Sequence, residues 1–373
     1  MTKSCVLARH GISVETNGTL RPCCQFHELP QDKHKFYTFH EYSQWRIEMD
    51  SLAADLDAGI EDPRCHQCWH DENIGYNSLR TTFNRRHGDD RSNTNIWHAE
   101  FKLGNFCNLK CIMCSPWSSS SIQTEFMQHK KEYKSVDISW DHVDHGEHKW
   151  WDSLAFNEFY TKVLPSVTYL HFTGGEPFMV PGLADILSSV PDPTTVELLF
   201  VTNMTTINDA TLLLLKKFKS VNFVISLEGI GKQNDYIRFG SDFLTIEDNL
   251  KKVKSVLNEK LELGVNHTFQ HTSIYSLPTL IDWCHDQNFN IHFSLLGGED
   301  YMRINSVPPV DMARFKDQIE QSLTVKPDVK SYVLNVIKDY QYDSELNAKF
   351  RRYTNMIDGI RGNNYNLTFD PAN

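Results

Sequence analysis

Residues 99–114 read AEFKLGNFCNLKCIMC, and the interpretation of the whole chain starts from this stretch. The apolar segment Ala99–Leu103 predicts a buried strand, and Cys107, Cys111 and Cys114 follow it closely. A loop of this length can wrap around one face of a [4Fe–4S] cluster. Because such clusters are usually held by four cysteine thiolates, a group of three leaves one iron open to a further ligand.

A zinc ion is the alternative occupant of the same cysteine loop. Zinc is usually held by four nitrogen or sulfur ligands, and His98 or His129 could supply the fourth. The spacing of the cysteines alone leaves both metals open.

Six apolar segments have the length and composition of β-strands, and helical patterns lie between them. The six segments are Ala99–Leu103, Thr168–Phe172, Val196–Thr202, Val221–Leu227, Gly264–Thr272 and Ile291–Leu296. Alternating strands and helices favour parallel βαβ units. We therefore expect an α/β fold, built as a partial (β/α)6 barrel of the TIM type over residues 96–310.

The two ends of the chain differ in character from this central part. Residues 1–90 are short, turn-rich pieces with five of the nine cysteines, which indicates a small amino-terminal domain. The polar segment Arg85–Asn95 is the predicted linker. Residues 311–373 are expected to form a carboxy-terminal helical extension, with Gly359–Asn373 trailing over the surface.

Composition narrows the range of partners and compartments. The 48 acidic and 37 basic residues give a net charge of -11, so we expect no generic attraction to nucleic acid or to an anionic membrane. Neither a long apolar run nor the basic-then-apolar start of a signal peptide is present. We expect a cytoplasmic protein, in which clustered cysteines indicate metal binding rather than disulfides.

The spacing CxxxCxxC after a first strand resembles the signature of the radical S-adenosylmethionine (radical SAM) family. The resemblance implies that Cys107, Cys111 and Cys114 ligate a [4Fe–4S] cluster whose open iron binds S-adenosylmethionine (AdoMet). The reduced cluster then cleaves AdoMet to a 5'-deoxyadenosyl radical, which abstracts a hydrogen from the substrate. Members need an electron donor such as flavodoxin or ferredoxin. Met113 stands where the family usually has an aromatic residue, but Met also packs against an adenine ring.

Residues at the ends of later strands resemble the AdoMet-binding positions of this family. Gly174-Gly175-Glu176 follows the second predicted strand and is similar to the GGE motif, which binds the amino group of AdoMet. Glycines permit close approach of a ligand to the backbone, and a carboxylate accepts from an ammonium group. Asn203 ends the third predicted strand and is a further candidate AdoMet contact.

Ser226 ends the fourth predicted strand, and Arg238 follows twelve positions later. This spacing resembles members that modify peptides or proteins, where the two residues contact the AdoMet carboxylate. The guanidinium fork of an arginine matches a carboxylate geometrically. Glu228 stands where many relatives have Asp, and the sequence leaves its role open.

The amino-terminal cysteines resemble the auxiliary-cluster domain called SPASM or, in its shorter form, twitch. In that domain a β-hairpin and a later CxxC motif supply the ligands, and Gly18 lies at the matching position between the first two cysteines. The resemblance implies that a second [4Fe–4S] cluster is fully ligated by Cys5, Cys23, Cys65 and Cys68. Cys24 is spare or replaces Cys23. A zinc ribbon on the same cysteines is the alternative, and the family usually carries this domain after the barrel.

Several nearby residues receive only a structural interpretation. Glu72, Gly75, Ser78 and Arg80 belong to the same twitch-like stretch and are assigned to local packing. Cys284 lies on a helical pattern and is expected to be a small buried residue.

The sequence therefore favours a radical SAM enzyme acting on a peptide or protein. A sugar or nucleotide substrate is a second possibility, since fold does not select among substrates. A zinc-binding interaction protein without catalysis is a third, but it has no use for the Gly174–Glu176 motif or for the pair Ser226 and Arg238.

Overall fold

The computed structural model describes residues 3–27, 29, 37–73, 77–88, 93, 95–141, 143 and 149–369. The strands in chain order are β1 (Gly11–Val14), β2 (Leu20–Arg21), β3 (His98–Lys102), β4 (Lys110–Cys111), β5 (Tyr169–Thr173), β6 (Glu197–Thr202), β7 (Ser220–Ser226), β8 (Arg238–Phe239), β9 (Leu261–Phe269) and β10 (Asn290–Leu295).

Sixteen α-helices lie in the same described residues. They are α1 (Val6–His10), α2 (Tyr42–Asp57), α3 (His66–Asn73), α4 (Leu79–His87), α5 (Ser120–Gln128), α6 (Lys130–Ser135), α7 (Leu154–Val163), α8 (Leu183–Ser188), α9 (Asp209–Leu215), α10 (Gly231–Ile237), α11 (Phe243–Leu257), α12 (Ser273–Gln287), α13 (Pro309–Gln321), α14 (Pro327–Val336), α15 (Ser344–Arg361) and α16 (Tyr365–Phe369). None of these helices combines the length and apolar character needed to cross a bilayer.

Eight strands form one sheet in the order β10-β9-β7-β6-β5-β3-β1-β2, while β4 and β8 pair separately. The registers of β1 with β3, β3 with β5, β5 with β6 and β9 with β10 are all parallel. All six predicted strands are present, shifted by a few residues at most. The prediction of an α/β fold with a mostly parallel sheet is confirmed.

The amino-terminal segment contributes to this sheet, which the sequence did not indicate. Strand β1 pairs in parallel with β3, and its hairpin partner β2 is antiparallel. Gly18 lies in the hairpin turn with a φ of +87°, a conformation that glycine adopts without strain. The hairpin expected from the twitch-like pattern is therefore present, but it extends the main sheet.

Alternation along the strands separates an apolar face from a polar one. Phe101 of β3 and Phe172 of β5 lie on one face with ring centroids 5.9 Å apart, and Phe156 of α7 packs against Phe101. Glu100 and His171 are register partners on the opposite face, with Oε2 and Nδ1 3.7 Å apart. Burial of the aromatic face accounts for the period-two pattern of these strands.

The chain divides into two compact units. The first comprises Met1–Asn105, Glu147–Phe200 and Leu213–Val221. The second comprises Phe106–Gly146, Val201–Leu212 and Asn222–Asn373. The domain bounds 1–90, 96–310 and 311–373 stay predictions. Part of the expected linker Arg85–Asn95 is helical, since α4 continues to His87, and residues 89–92 and 94 lie outside the described residues.

The carboxy-terminal segment does not trail over the surface, so that expectation for Gly359–Asn373 is wrong for the residues described. Helix α15 ends at Gly362, which has a φ of +68° and lets the chain reverse into α16. Phe369 is buried, and its ring packs 5.4 Å from that of Tyr236. Burial of these aromatic rings outweighs the turn-like composition of the segment. Residues 370–373 lie outside the described part.

Candidate functional site

The three cysteines of the first motif lie in one loop of the second unit. Cys107 accepts a hydrogen bond from its near neighbour Leu109, whose N lies 3.4 Å from Sγ. Cys111 ends β4 and is the register partner of Arg238 in β8. The N of Cys114 donates to the carbonyl of Cys111 at 3.0 Å, so a tight turn separates the last two thiols. The loop thus gathers all three thiols into one apolar cluster.

Side chains from two helices hold the backbone of this loop. Ser121 of α5 donates to the carbonyl oxygen of Cys107 at 2.7 Å. Tyr353 of α15 is buried and donates to the carbonyl oxygen of Ile112 at 2.8 Å. Carbonyls in a buried loop need such partners, because no strand or helix supplies them. Ser119 caps the amino end of α5, since its side chain accepts from the N of Ile122.

A buried charge network approaches the thiol of Cys111. Nη1 of Arg238 lies 3.8 Å from its Sγ, and Nη2 donates to Oε1 of Glu228 at 2.6 Å. The other oxygen of Glu228 accepts from the N of Thr268 at 2.9 Å and lies 3.3 Å from Nδ1 of His267. Within the described part, Nε of Arg238 is buried without a hydrogen-bond partner. The arginine therefore retains one unused donor next to the cysteine loop.

The electrostatic environment favours the thiolate form of Cys111. A hydrogen bond from the thiol of Cys114 lowers the pKa of Cys111 to about 7; burial opposes this shift, and the charge of Arg238 adds to it. The pKa of Cys114 is raised in turn, because it donates that hydrogen bond and is itself buried. A thiolate is the form that binds metal, so the loop is suited to ligation.

Asn203 lies beside the first cysteine of the loop. Its Nδ2 is 4.0 Å from Sγ of Cys107 and donates to Oδ1 of Asn108 at 3.1 Å. Its Oδ1 accepts from the N of Thr205 at 2.9 Å, which fixes the orientation of the amide. Of the candidate AdoMet contacts, Asn203 and Arg238 are thus adjacent to the cysteine loop.

Ser226 is buried at the end of β7, two residues before Glu228. The direct partner of Arg238 in this region is Glu228, whose carboxylate is fully buried. Sequence analysis left Glu228 without a role. In the sequence, Gly229 and the end of the strand indicate only a turn at this place. The contact of Glu228 with an arginine ten residues later becomes visible only in the folded structure.

The glycine motif lies in the first unit, directly after β5. Gly174 has a φ of +115°, and a Cβ there would lie 2.9 Å from the carbonyl oxygen of Gly104. The N of Gly175 donates to that same oxygen at 3.0 Å. Glu176 is fully buried and its Oε1 accepts from the N of Phe178 at 3.2 Å, as a cap of the following turn. Only glycine fits at position 174, and Glu176 has a structural contact of its own.

The two histidines considered as zinc ligands have other surroundings. His98 lies within β3, its ring stacks on Tyr169 with centroids 5.1 Å apart, and burial lowers its pKa to about 3. His129 precedes α6 and lies 3.9 Å from Glu132. In the described ranges, no group of three or more Cys, His, Asp or Glu side chains is arranged around a single ion. The ligands of a cubane cluster bind separate irons and need not meet at one point.

The four cysteines of the second motif line one small cavity in the first unit. Leu7, Leu56 and Trp69 line it with them, and so does Arg80. The cysteines lining this cavity are Cys5, Cys23, Cys65 and Cys68. Residues far apart in sequence therefore lie together, and their role as cluster ligands stays a prediction. The thiols lie in a largely apolar cavity that holds one basic side chain.

Burial dominates the protonation of these thiols. It raises the pKa of Cys5 to about 11, and it also raises the pKa of Cys23 well above the usual value. Cys24 does not line the cavity, and its thiol hydrogen-bonds to Glu100 instead. Because its thiol contacts Glu100, Cys24 lies apart from the four cysteines that line the cavity.

The residues assigned to local packing do pack together. Ser78 donates to Oε1 of Glu72 at 2.6 Å, and Arg80 donates to the same oxygen through Nε at 3.0 Å. The guanidinium of Arg80 also lies 5.1 Å from the ring centroid of Trp69 and donates to the carbonyl of Ser4 at 2.8 Å. Gly75 lies outside the described residues. Cys284 is buried within α12, as expected.

Comparison with known proteins gives one family and several structures. Hexahistidine-tagged anSMEcpe with bound AdoMet has a TM-score of 0.42 and 14% identity, over 65% of this chain and 60% of that chain. Streptococcus suis SuiB bound to S-adenosylmethionine has a TM-score of 0.38 and 14% identity, over 81% and 61%. TYW1 with a lysine-pyruvate adduct bound has a TM-score of 0.32 and 15% identity, over 58% and 70%.

The chain thus spans about three fifths of the length of the first two structures. No curated protein sequence matches it. The family model described as the Radical SAM superfamily matches residues 101–270, which include the cysteine loop, the glycine motif and Arg238. Over residues 101–270, somewhat less than half of the chain, this sequence therefore matches the radical SAM superfamily.

Proposed function

We propose that this protein is an enzyme that uses a [4Fe–4S] cluster on Cys107, Cys111 and Cys114 to cleave AdoMet reductively. When bound, the cluster and AdoMet supply a 5'-deoxyadenosyl radical, which abstracts a hydrogen from the substrate. The single observation that carries the proposal is the position of Arg238 between the thiol of Cys111 and Glu228. A zinc scaffold has no need for a buried arginine at this position.

The residues of the loop fit such a cluster by their chemistry. Three thiols share an apolar cluster, and Cys111 is held towards its thiolate form. A cubane with three protein ligands carries a net negative charge, and the guanidinium of Arg238 compensates part of it in a region of low dielectric constant. Its unpartnered Nε remains available to a carboxylate such as that of AdoMet.

The remaining AdoMet contacts are proposed for Gly174, Gly175 and Glu176, together with Asn203 and Ser226. Glycines permit close approach of a ligand to the backbone, although the Cα side of Gly174 already faces the carbonyl oxygen of Gly104. The carboxylate of Glu176 is the proposed acceptor for the amino group of AdoMet, since a carboxylate accepts from an ammonium group.

We also propose a second, auxiliary [4Fe–4S] cluster at the amino-terminal cavity. Four cysteines line that cavity, so the cluster would have no open iron. Arg80 lies against the same cavity and would offset the charge of the thiolates. Cys23 rather than Cys24 is the proposed ligand, because Cys24 is engaged with Glu100.

The proposed substrate is a peptide or protein, and the proposed compartment is the cytoplasm, where flavodoxin or ferredoxin could donate the electron. The spacing of Ser226 and Arg238 supports this class of substrate over a sugar or nucleotide. Dehydrogenation, crosslinking and epimerisation all begin with the same hydrogen abstraction.

The proposal is tested by reconstituting the protein with iron and sulfide under anaerobic conditions. We expect about eight irons, four for each cluster. The triple replacement of Cys107, Cys111 and Cys114 by Ala should remove about half of the iron and abolish formation of 5'-deoxyadenosine with dithionite. Cys284→Ala is the matched control, since that thiol is buried in α12 and should leave both readouts unchanged. Cleavage by the triple variant, or bound zinc in place of iron, would overturn the proposal.

A further inference from the structure

A cavity of about 740 Å³ opens beside the cysteine loop in the second unit. One part of its wall is Ser115, which directly follows Cys114, together with Trp117. Another part is Glu299 and Asp300, which follow the end of β10. Its volume lies in the range that ligand pockets usually occupy, so it is large enough for an amino-acid side chain and adjoining backbone.

The lining of this cavity combines aromatic rings with carboxylates. Trp140 is only 6% exposed, and Phe126 and Tyr133 brace its ring with centroids 5.4 and 5.3 Å away. Trp117 is half-buried, and both indoles line the cavity. The face of an indole attracts a cation through its quadrupole.

Among the described residues that line the cavity, the charged side chains are the carboxylates of Glu299 and Asp300. None of the described residues that line the cavity is Lys, Arg or His. Asp300 pairs with Arg303, whose Nη1 lies 2.9 Å from Oδ1. For Glu299 the described residues provide no ion-pair partner, so its carboxylate is the negative charge that a ligand would meet. Phosphate groups would be repelled from this wall, whereas an ammonium or guanidinium group would be attracted.

We propose that this cavity binds a lysine or arginine side chain of the peptide substrate. The inference rests on the proposed function and narrows its substrate to peptides with a basic residue near the modified position. The indole of Trp117 would contact the side chain, and Glu299 would accept from its charged end. The overall net charge of -11 acts in the same direction, since it steers a basic peptide towards the protein.

The test measures fluorescence anisotropy of labelled octapeptides with the reconstituted enzyme. An alternating Gly–Lys peptide should bind at least about tenfold more tightly than its Gly–Gln counterpart, and a Gly–Glu peptide should not bind. Glu299→Gln should weaken binding of the lysine peptide about three- to tenfold. Trp117→Ala should weaken it similarly, and Trp117→Phe should retain part of the affinity because the ring is kept.

Glu320→Gln is the matched control, because it removes one negative charge from the exposed surface of α13 and should change affinity by less than about twofold. Equal effects of Glu320→Gln and Glu299→Gln, or equal binding of the lysine and glutamine peptides, would overturn the inference. Formation of 5'-deoxyadenosine by the unsubstituted protein is measured on the same preparation. If AdoMet is cleaved without a peptide preference, this inference alone fails; if the preference exists without cleavage, the proposed function fails.

Discussion

Arg238 and Glu228 form a buried ion pair, and the guanidinium also lies 3.8 Å from Sγ of Cys111. Glu228 accepts a hydrogen bond from the N of Thr268 and lies next to His267. These contacts hold the carboxylate in place, and the carboxylate in turn positions Arg238. Burial lowers the pKa of His267, and a neutral ring adds no second positive charge beside Arg238. The pair therefore carries one positive and one negative charge, and the positive one faces the cysteine loop.

Arg238→Ala is expected to weaken AdoMet binding while leaving the iron content intact. The change removes a charge-assisted contact of about 1.5–3 kcal/mol, which corresponds to a loss of about ten- to a hundredfold in affinity. Equilibrium binding of AdoMet to the reconstituted protein measures it. Arg238→Lys should retain part of the affinity, because the charge remains but the planar fork is lost. Unchanged affinity of the Ala variant would remove Arg238 from the AdoMet site.

Glu228→Gln is expected to act through Arg238. Loss of the carboxylate leaves the guanidinium without its anchoring charge, so AdoMet affinity should fall by about tenfold. Glu228→Asp keeps the charge, so its AdoMet affinity should lie between that of Glu228→Gln and that of the unsubstituted protein. Glu262→Gln removes an exposed carboxylate of β9 and serves as the control. A fall of the same size in Glu262→Gln would show that bulk charge, rather than this pair, is responsible.

Glu176→Gln separates the two roles of that side chain. The amide oxygen of Gln can still accept from the N of Phe178, so the melting temperature of the unfolding transition should change little. The lost charge should weaken binding of the AdoMet amino group by about ten- to a hundredfold. Calorimetric unfolding and AdoMet binding are measured on the same sample. If Glu176→Gln lowers the melting temperature but leaves AdoMet affinity unchanged, the side chain of Glu176 has only the capping role.

The double variant Cys65→Ala with Cys68→Ala tests the amino-terminal cluster. Removing two of four ligands should lower the iron content by about half. Some 5'-deoxyadenosine should still form, because the cysteine loop at Cys107 is untouched, but product from the true substrate should be lost. Iron analysis, electron paramagnetic resonance and product assay together measure these effects. A full iron count in the double variant, or zinc in the unsubstituted protein, means that this region is structural.

Arg361→Met is expected to lower the free energy of unfolding, because Arg361 belongs to a buried ion pair near the cysteine loop. Arg361 and Glu125 form a pair with both side chains 1% exposed, and Nη2 lies 2.7 Å from Oε1. Breaking a buried pair costs about 3–5 kcal/mol in the free energy of unfolding when one charge is left alone. Lys110, whose Nζ lies 3.2 Å from Oε2 of Glu125, keeps part of the compensation, so we expect a loss of about 2–3 kcal/mol. Arg352→Met, at an exposed ion pair of the same helix, should cost less than about 1 kcal/mol. Chemical unfolding of both variants measures the difference, and equal midpoints would contradict it.

The sequence by itself determined the six strands and the grouping of the cysteines. Apolar runs of strand length are set by local patterning, and the structure contains every one of them. The resemblance to the twitch domain implied that Cys5, Cys23, Cys65 and Cys68 act together, and the four line one cavity. The strands are readable because periodicity is a local property of a chain.

Only the tertiary structure decided the contacts that tune the site. Glu228 reaches Arg238 because the end of β7 and the strand β8 meet in space, and Tyr353 reaches the cysteine loop from 241 positions away. Strand β1 joins the sheet although its four residues carry too weak a pattern to be read alone. Such contacts depend on which surfaces are buried against one another, and burial free energy belongs to the folded chain rather than to any one segment.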